Sequence, residues 1–376
     1  TALWKTPGLL EGYGIKTNAS IRSSSAAVFG QLDWSITDKL HVLPGLRYNF
    51  DKKDADYDRK TYGCLQTTDP ALIALKKKVY TDQNFTSNND DTDFSGNITV
   101  SYKATDKINV YGTYAKSYKP IGVNVAGLPT PPAGQTLGDL AVVKPESVNH
   151  YEFGLKTSPF KNSILNLTYF DTDIKDFQTN VQAAELGVNR GYLANADEVR
   201  VKGAELDASI TVNKHFTLYG AVTFSDGKYV KFTNAPLPLE ETGTTVGGVQ
   251  VAYKDVSGSD LPGVSEWAGS LSGEYTQDAK FFSNAGKFFV ALDGYARSEF
   301  SSSPSASTYL VVPGYAIFNG RLGFRASEGL SIHIWGRNLL NKDYYEQLLP
   351  AGGNAGQYGA VLGDQITYGL TLKYTL

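Results

Sequence analysis

The chain has 376 residues, and 35 Lys and Arg against 38 Asp and Glu leave a formal net charge of −3, so no basic field invites nucleic acid. Gly (38) and Tyr (24) are abundant, Met is absent and Cys64 stands alone, which excludes an internal disulfide framework and a thiolate metal cluster. No run approaches the ~18 apolar residues of a membrane-spanning helix, and the first residues carry no charged n-region or apolar h-region of a signal peptide.

Successive side chains of a strand point to opposite faces, so strict alternation marks a strand with one greasy and one polar face. That pattern predicts strands near 24–35, 39–50, 94–104, 107–118, 147–158, 163–174, 199–212, 215–228, 265–277, 286–298, 310–326, 329–340 and 363–376. In the third, Phe94, Ile98, Val100 and Tyr102 oppose Ser95, Asn97, Thr99 and Ser101. In the seventh, Leu206, Ala208, Ile210 and Val212 oppose Glu205, Asp207, Ser209 and Thr211. In the last, Ile366, Tyr368, Leu370, Leu372, Tyr374 and Leu376 oppose Thr367, Gly369, Thr371, Lys373 and Thr375. A helical period is sustained almost nowhere. "ALIALKKK" (71–78) reads as one or two helical turns inside a loop.

The connections alternate in length. Short turns are expected at 36–39, 104–107, 158–162, 213–215, 278–286 and 327–329. Long loops are expected at 51–93, 119–146, 175–198, 229–264, 299–309 and 341–362. Short turns on one side and long loops on the other mark a bacterial outer-membrane barrel. A soluble sandwich has no reason to sort its loops this way, and no blade repeat supports a propeller. On this reading residues 1–23 belong to an outer loop and Leu376 lies on the periplasmic side. Thirteen strands is an odd number, and an open edge is not tolerated in lipid, so further strands upstream are expected.

Charge placement follows the same phase. Lys103, Glu152, Lys156, Glu205, Asp207, Glu274, Asp293, Arg321 and Arg337 all face away from the apolar side, as lumen residues would. His41, His150, His215 and His333 lack the spacing of a metal site. "NNDDTD" (88–93) offers clustered carboxylates without the spacing of an EF-hand, and is read as a solvated loop. Tyrosines at strand ends, Tyr111, Tyr114, Tyr118 and Tyr169 among them, fit the aromatic girdles of a barrel. No nucleophile elbow, phosphate loop or dinucleotide fingerprint is present, so no catalytic residue, no metal ligand and no cofactor is expected, and the chain is read as not an enzyme.

"FGQLDWSITDKLHVLPGLRYNFDKKD" (29–54), "NVYGTYAKSYKPIGVN" (109–124), "KPESVNHYEFGLKTS" (144–158), "NADEVRVKGAELDAS" (195–209) and "GRNLLNKDYYE" (336–346) together resemble TonB-dependent outer-membrane receptors. The resemblance covers most of 24–376 and implies a 22-strand transmembrane antiparallel β-barrel closed by an N-terminal plug. Residues 1–376 would then be the C-terminal portion of the barrel, with about 13 strands present and no plug or TonB box in the chain. It departs from the family's pattern in ending on Leu376, where such proteins usually end on Phe or Trp. The implied function is active import of a scarce ligand, a ferric siderophore or similar iron complex being favoured over haem, cobalamin or a glycan. The implied partners are the TonB complex, reached through the plug, outer-membrane lipid and a small-molecule metal chelate. The rival reading is a passive or gated porin of about 14 strands. Loops at the outer face meet ligand first, so the expected ligand contacts are Tyr118, Asn124, Gln178, Tyr192, Tyr344 and Tyr345. The serine-rich loop 299–309 ("SSSPSASTYLV" in its wider context) is read as flexible mouth lining.

Overall fold

The computed structural model describes residues 2–79, 82–129, 131, 134–185, 188–282, 284–351 and 356–375. Thirteen long strands form one antiparallel sheet in which each pairs with its sequence neighbours: β1 (Gly14–Gln31), β2 (Leu40–Tyr62), β3 (Gln83–Thr105), β4 (Ile108–Lys119), β5 (Glu146–Thr157), β6 (Ser163–Glu185), β7 (Val188–Thr211), β8 (Phe216–Lys231), β9 (Trp267–Phe281), β10 (Asn284–Arg297), β11 (Tyr315–Ala326), β12 (Leu330–Arg337) and β13 (Thr367–Tyr374). A two-residue strand, Trp34–Ser35, adds to β2 beside the first turn. Among the described residues β1 pairs only with β2, and β13 only with β12.

The alternation read from the sequence sets the two faces. Val28, Leu46, Phe153, Leu271, Leu292, Tyr368 and Leu370 stand exposed on the outer face. Exposure of this kind is unfavourable in water and neutral in lipid, as a transmembrane barrel requires. The same outer face turns charged higher up. On β6, Leu167 and Tyr169 are followed in phase by Asp171 and Asp173; on β7, Leu206 is preceded by Lys202 and Arg200. Arg200 binds Asp171 and Asp173, and Lys202 lies 3.5 Å from Asp226. An aromatic rim separates the apolar from the charged band, with Tyr48 against Phe94, Tyr114 against Tyr151 and Phe224 against Trp267. That rim marks the upper membrane–water interface.

On the lumen face several charges have side-chain partners. Glu274 takes both Arg321 and Arg325, Asn319 donates to Asp293, and Asn166 donates to Asp207. Tyr111, expected in the girdle, instead faces the lumen. Its ring lies over cross-strand Gly154, where an added Cβ would sit 2.1 Å from it, and its hydroxyl donates to Glu152. The same device places Trp335 over Gly369, an aromatic ring filling the gap beside a glycine.

Several expected boundaries move. The segment 175–198 is not a loop: β6 and β7 run on as a paired ribbon, with Glu185 opposite Val188. Most of 51–93 is likewise strand, with Asp51 opposite Asp91 and Tyr57 opposite Phe85. "NNDDTD" is therefore ladder rather than solvated loop. Residues 14–23, expected in a loop, belong to β1. A barrel strand crosses lipid in about 9–11 residues, so strands of 23 or 24 residues rise well beyond it. Above the membrane both faces meet water or other loops, so polar residues occupy both phases and the alternation disappears while the ladder continues. The helix α1 (Pro70–Val79) forms where "ALIALKKK" lies. Leu376 lies outside the described residues.

Candidate functional site at the outer mouth

The strand tips carry a second, smaller core. Tyr57, Phe85, Leu128, Ala141, Val181, Tyr192, Ala196, Val199, Tyr229 and Phe232 pack together, and Leu128, Val181 and Tyr229 have no exposed surface. The described parts of the segment 120–145 are folded down onto this core through Val123, Val125, Leu128, Leu137, Leu140 and Ala141. It contains a two-residue ladder, Gly122–Val123 with Val142–Val143, and the short helix α2 (Leu137–Ala141) capped reciprocally by Thr136 and Asp139.

Side-chain amides pin that segment to the strands. Asn124 accepts from the Leu193 N–H at 2.8 Å and donates to the Leu193 carbonyl at 3.0 Å. Gln178 donates to the carbonyls of Pro120 and Lys144, each at 3.0 Å, while its own N–H donates to Glu146. Asn195 bonds both backbone groups of Lys144, and Gln83 both backbone groups of Leu128. An amide offers one donor and one acceptor side, so it can replace a missing strand neighbour. Nothing in the alternation pointed to Gln83 or Asn195; their signal is an amide residue where a strand tip leaves its periodic pattern.

The six expected contact residues thus separate. Asn124, Gln178 and Tyr192 are each less than 8% exposed and engaged within the loop core. Tyr118 donates to Asp51, which also accepts from Ser25. Tyr344 packs its ring at a tilt against Tyr315, 4.5 Å between centroids, and covers Gly363. Tyr345 is 41% exposed. It opens a hairpin, Tyr345–Pro350 with Tyr358–Leu362. The hairpin stands on Asn338, whose left-handed backbone (φ 49°) lets its amide bond Lys342 on both groups and the Asp364 carbonyl.

A cavity of about 400 Å³ lies among these parts. Its walls are the β6–β7 tip (Asn180, Val181, Gln182, Gly191), Pro238 and Leu239, the serine run with Leu310, and Gln347, Leu349 and Pro350 of the hairpin. The serine run lines the mouth as expected, but it is built rather than flexible. Ser303 accepts from the N–H groups of Ser305 and Ser307, and all three serines are at most 4% exposed. Ser302 accepts from the Leu348 N–H, which ties the run to the hairpin. Beside the cavity, Glu240 accepts from the Tyr358 hydroxyl and from the Thr308 N–H. Burial pushes Glu240 up, but these bonds outweigh it and hold its carboxyl below the usual range. Burial, then the bond to Glu240, pushes Tyr358 up to about 12. Among the described residues no group of His, Cys, Asp and Glu is arranged to hold a metal ion.

Residues 6–339 match the family model for the TonB dependent receptor-like β-barrel. The chain belongs to the TonB-dependent receptor family. It is 25% identical to the catecholate siderophore receptor Fiu of Escherichia coli O6:H1 over 92% of its own length and 41% of that receptor's. It is 25% identical to the ferric-pyoverdine M114 receptor PbuA of a Pseudomonas strain, over 90% of the chain and 34% of PbuA. In structure it resembles the ferric yersiniabactin uptake receptor FyuA of Yersinia pestis, with a TM-score of 0.72, 19% identity and coverage of 96% of this chain and 47% of that one. The chain thus spans less than half the length of these relatives. Its place is the bacterial outer membrane, as a transmembrane β-barrel wall.

Proposed function

We propose that residues 1–376 form the C-terminal barrel wall and the outer mouth of a receptor that binds a ferric chelate and imports it with TonB-coupled energy. In this reading the plug, and with it contact to the TonB complex, lies outside the chain. The observation that carries it is the roofed mouth. Strand tips and loops from six strand junctions pack into a cored cap with a chelate-sized cavity, whereas a passive porin gains nothing from covering its opening. The siderophore and ferric-complex names of the relatives point the same way. Among the six expected contacts, Tyr345 and Tyr118 would meet the ligand, and Asn124, Gln178, Tyr192 and Tyr344 would hold the loops that shape its site. Radiolabelled iron uptake by cells with and without the gene, and with TonB disabled, tests this. Import of some ferric chelate should vanish in both mutants. Equal uptake in all three strains would end the proposal.

A further inference from the structure

We propose that the mouth cavity selects a ferric chelate of zero or positive net charge, recognised through carbonyl, amide and hydroxyl groups, over an anionic one. This rests on the import reading above and concerns only which chelate class the site takes.

The lining decides it. Among the described residues every side chain on the cavity wall is uncharged: serine hydroxyls, carboxamides, leucines and prolines. An anion moved from water into such a site loses its hydration and finds no cation in return. Receptors for anions need arginine or lysine aimed at the ligand. Three cations near the mouth face their own carboxylates, and Arg59, buried at the β2 tip, lies outside the cavity wall. Lys254 lies 2.6 Å from Glu241, Lys228 lies 2.6 Å from Asp260, and Lys119 lies 3.2 Å from Glu146. Among the described residues, the charge next in the chain to the lining residue Leu239 is negative, the Glu240 carboxylate clamped by Tyr358 and Thr308. It repels an anion and attracts a cation.

The positive side of the selection is equally specific. The walls alternate apolar surface with amide and hydroxyl groups, which suits a chelate whose outer surface is methylene and amide. A neutral ferric trihydroxamate has that surface. A ferric tris-catecholate carries a net negative charge for which these walls offer no cation.

The experiment uses the intact receptor in outer-membrane vesicles, titrated by tyrosine and tryptophan fluorescence with a neutral ferric trihydroxamate and with an anionic ferric tris-catecholate. Wild type should bind the neutral chelate at least tenfold tighter, a difference of about 1.4 kcal/mol. Gln347→Lys and Asn180→Lys, each placing a cation on the wall, should narrow or reverse that ratio, while Lys107→Gln in a periplasmic turn should leave it unchanged. Gln347→Glu supplies a second arm, lowering anionic binding further. Tighter wild-type binding of the anionic chelate overturns this inference and leaves the import reading standing. A ratio unmoved by all three cavity variants also overturns it, since the ligand then sits elsewhere. Binding of neither chelate by well-folded receptor also overturns this inference, while the iron-uptake experiment decides the import reading separately.

Discussion

Asn124 and Gln178 hold backbone at the outer mouth and are buried from the cavity they stand beside. Asn124, within the segment 120–145, bonds both backbone groups of Leu193 on β7, and Gln178 on β6 bonds the segment's Pro120 and Lys144 carbonyls, so each ties a segment with almost no ladder of its own to a strand. Removing a buried partner leaves those groups unmet, at about 1–3 kcal/mol. Asn124→Ala and Gln178→Ala are therefore expected to free the segment 120–145. Limited proteolysis of the intact receptor should cut first within 127–136, at unchanged surface expression. Tyr345→Ala should weaken ligand binding without that new cleavage. The Glu240–Tyr358 clamp makes a second residue-scale prediction. Glu240 has its carboxyl held below the ordinary 4.5, so its contribution is present above that value and lost as pH falls through the lower one. Tyr358 is raised from 10.0 to about 12, so its contribution is present below 10 and lost as pH rises through about 12. Spin labels at Thr245 and Ala360 should give a narrow distance distribution between about pH 5 and 10, broader on both sides. Tyr358→Phe should broaden it at every pH; a distribution indifferent to both pH and that substitution would remove the clamp.

At the scale of elements, the membrane band is the part the amino-acid pattern makes legible. Lipid outside and water inside impose a period of two, and Phe94 to Tyr102 or Thr367 to Tyr374 display it without interruption. The strand tips carry no such constraint. "DKKDADYDRKTY" (51–62) mixes charges on both phases because neither face meets lipid, yet its register with 83–91 is continuous. The mouth was legible as a place and not as an arrangement. Tyr344, Tyr345 and the serine run were read onto the outer side, but whether a tyrosine or amide faces ligand or backbone depends on tertiary neighbours such as Leu193 and Pro120. The prediction at this scale concerns phase. Spin labels at Val100, Ile210 and Leu372 should report lipid, and labels at Ser101, Thr211 and Thr371 should report water. Ile332 opposite Leu372 and His333 opposite Thr371 show the same division across the β12–β13 ladder. Equal accessibility to oxygen and to a polar relaxant in both sets would sink the assignment.

For the whole molecule the decisive feature is the pair of outer edges. Among the described residues, the far sides of β1 and β13 have no partner, so two rows of N–H and C=O groups stand open. In hydrocarbon each unmet group costs several kcal/mol, and only closure removes the cost. Fiu and FyuA are each more than twice as long as the part this chain matches. We propose that the remaining wall, and the plug, come from outside residues 1–376. The lumen supports this. Its face holds Glu274 with two arginines and a His333 Nδ1 buried without a partner, groups that an occupied lumen can satisfy. Expressed and refolded alone, residues 1–376 are expected to aggregate or to bind vesicles without inserting. Heat-modifiable migration on gels, the mark of a closed barrel, should be missing, and no conductance should appear in planar bilayers. The full-length receptor refolded in parallel should show the gel shift. Adding the missing strands without the plug should restore insertion and give an open pore, which separates wall closure from lumen filling. Stable conductance from residues 1–376 alone would mean that β1 and β13 pair with each other, and would move the protein toward a 13- or 14-strand channel.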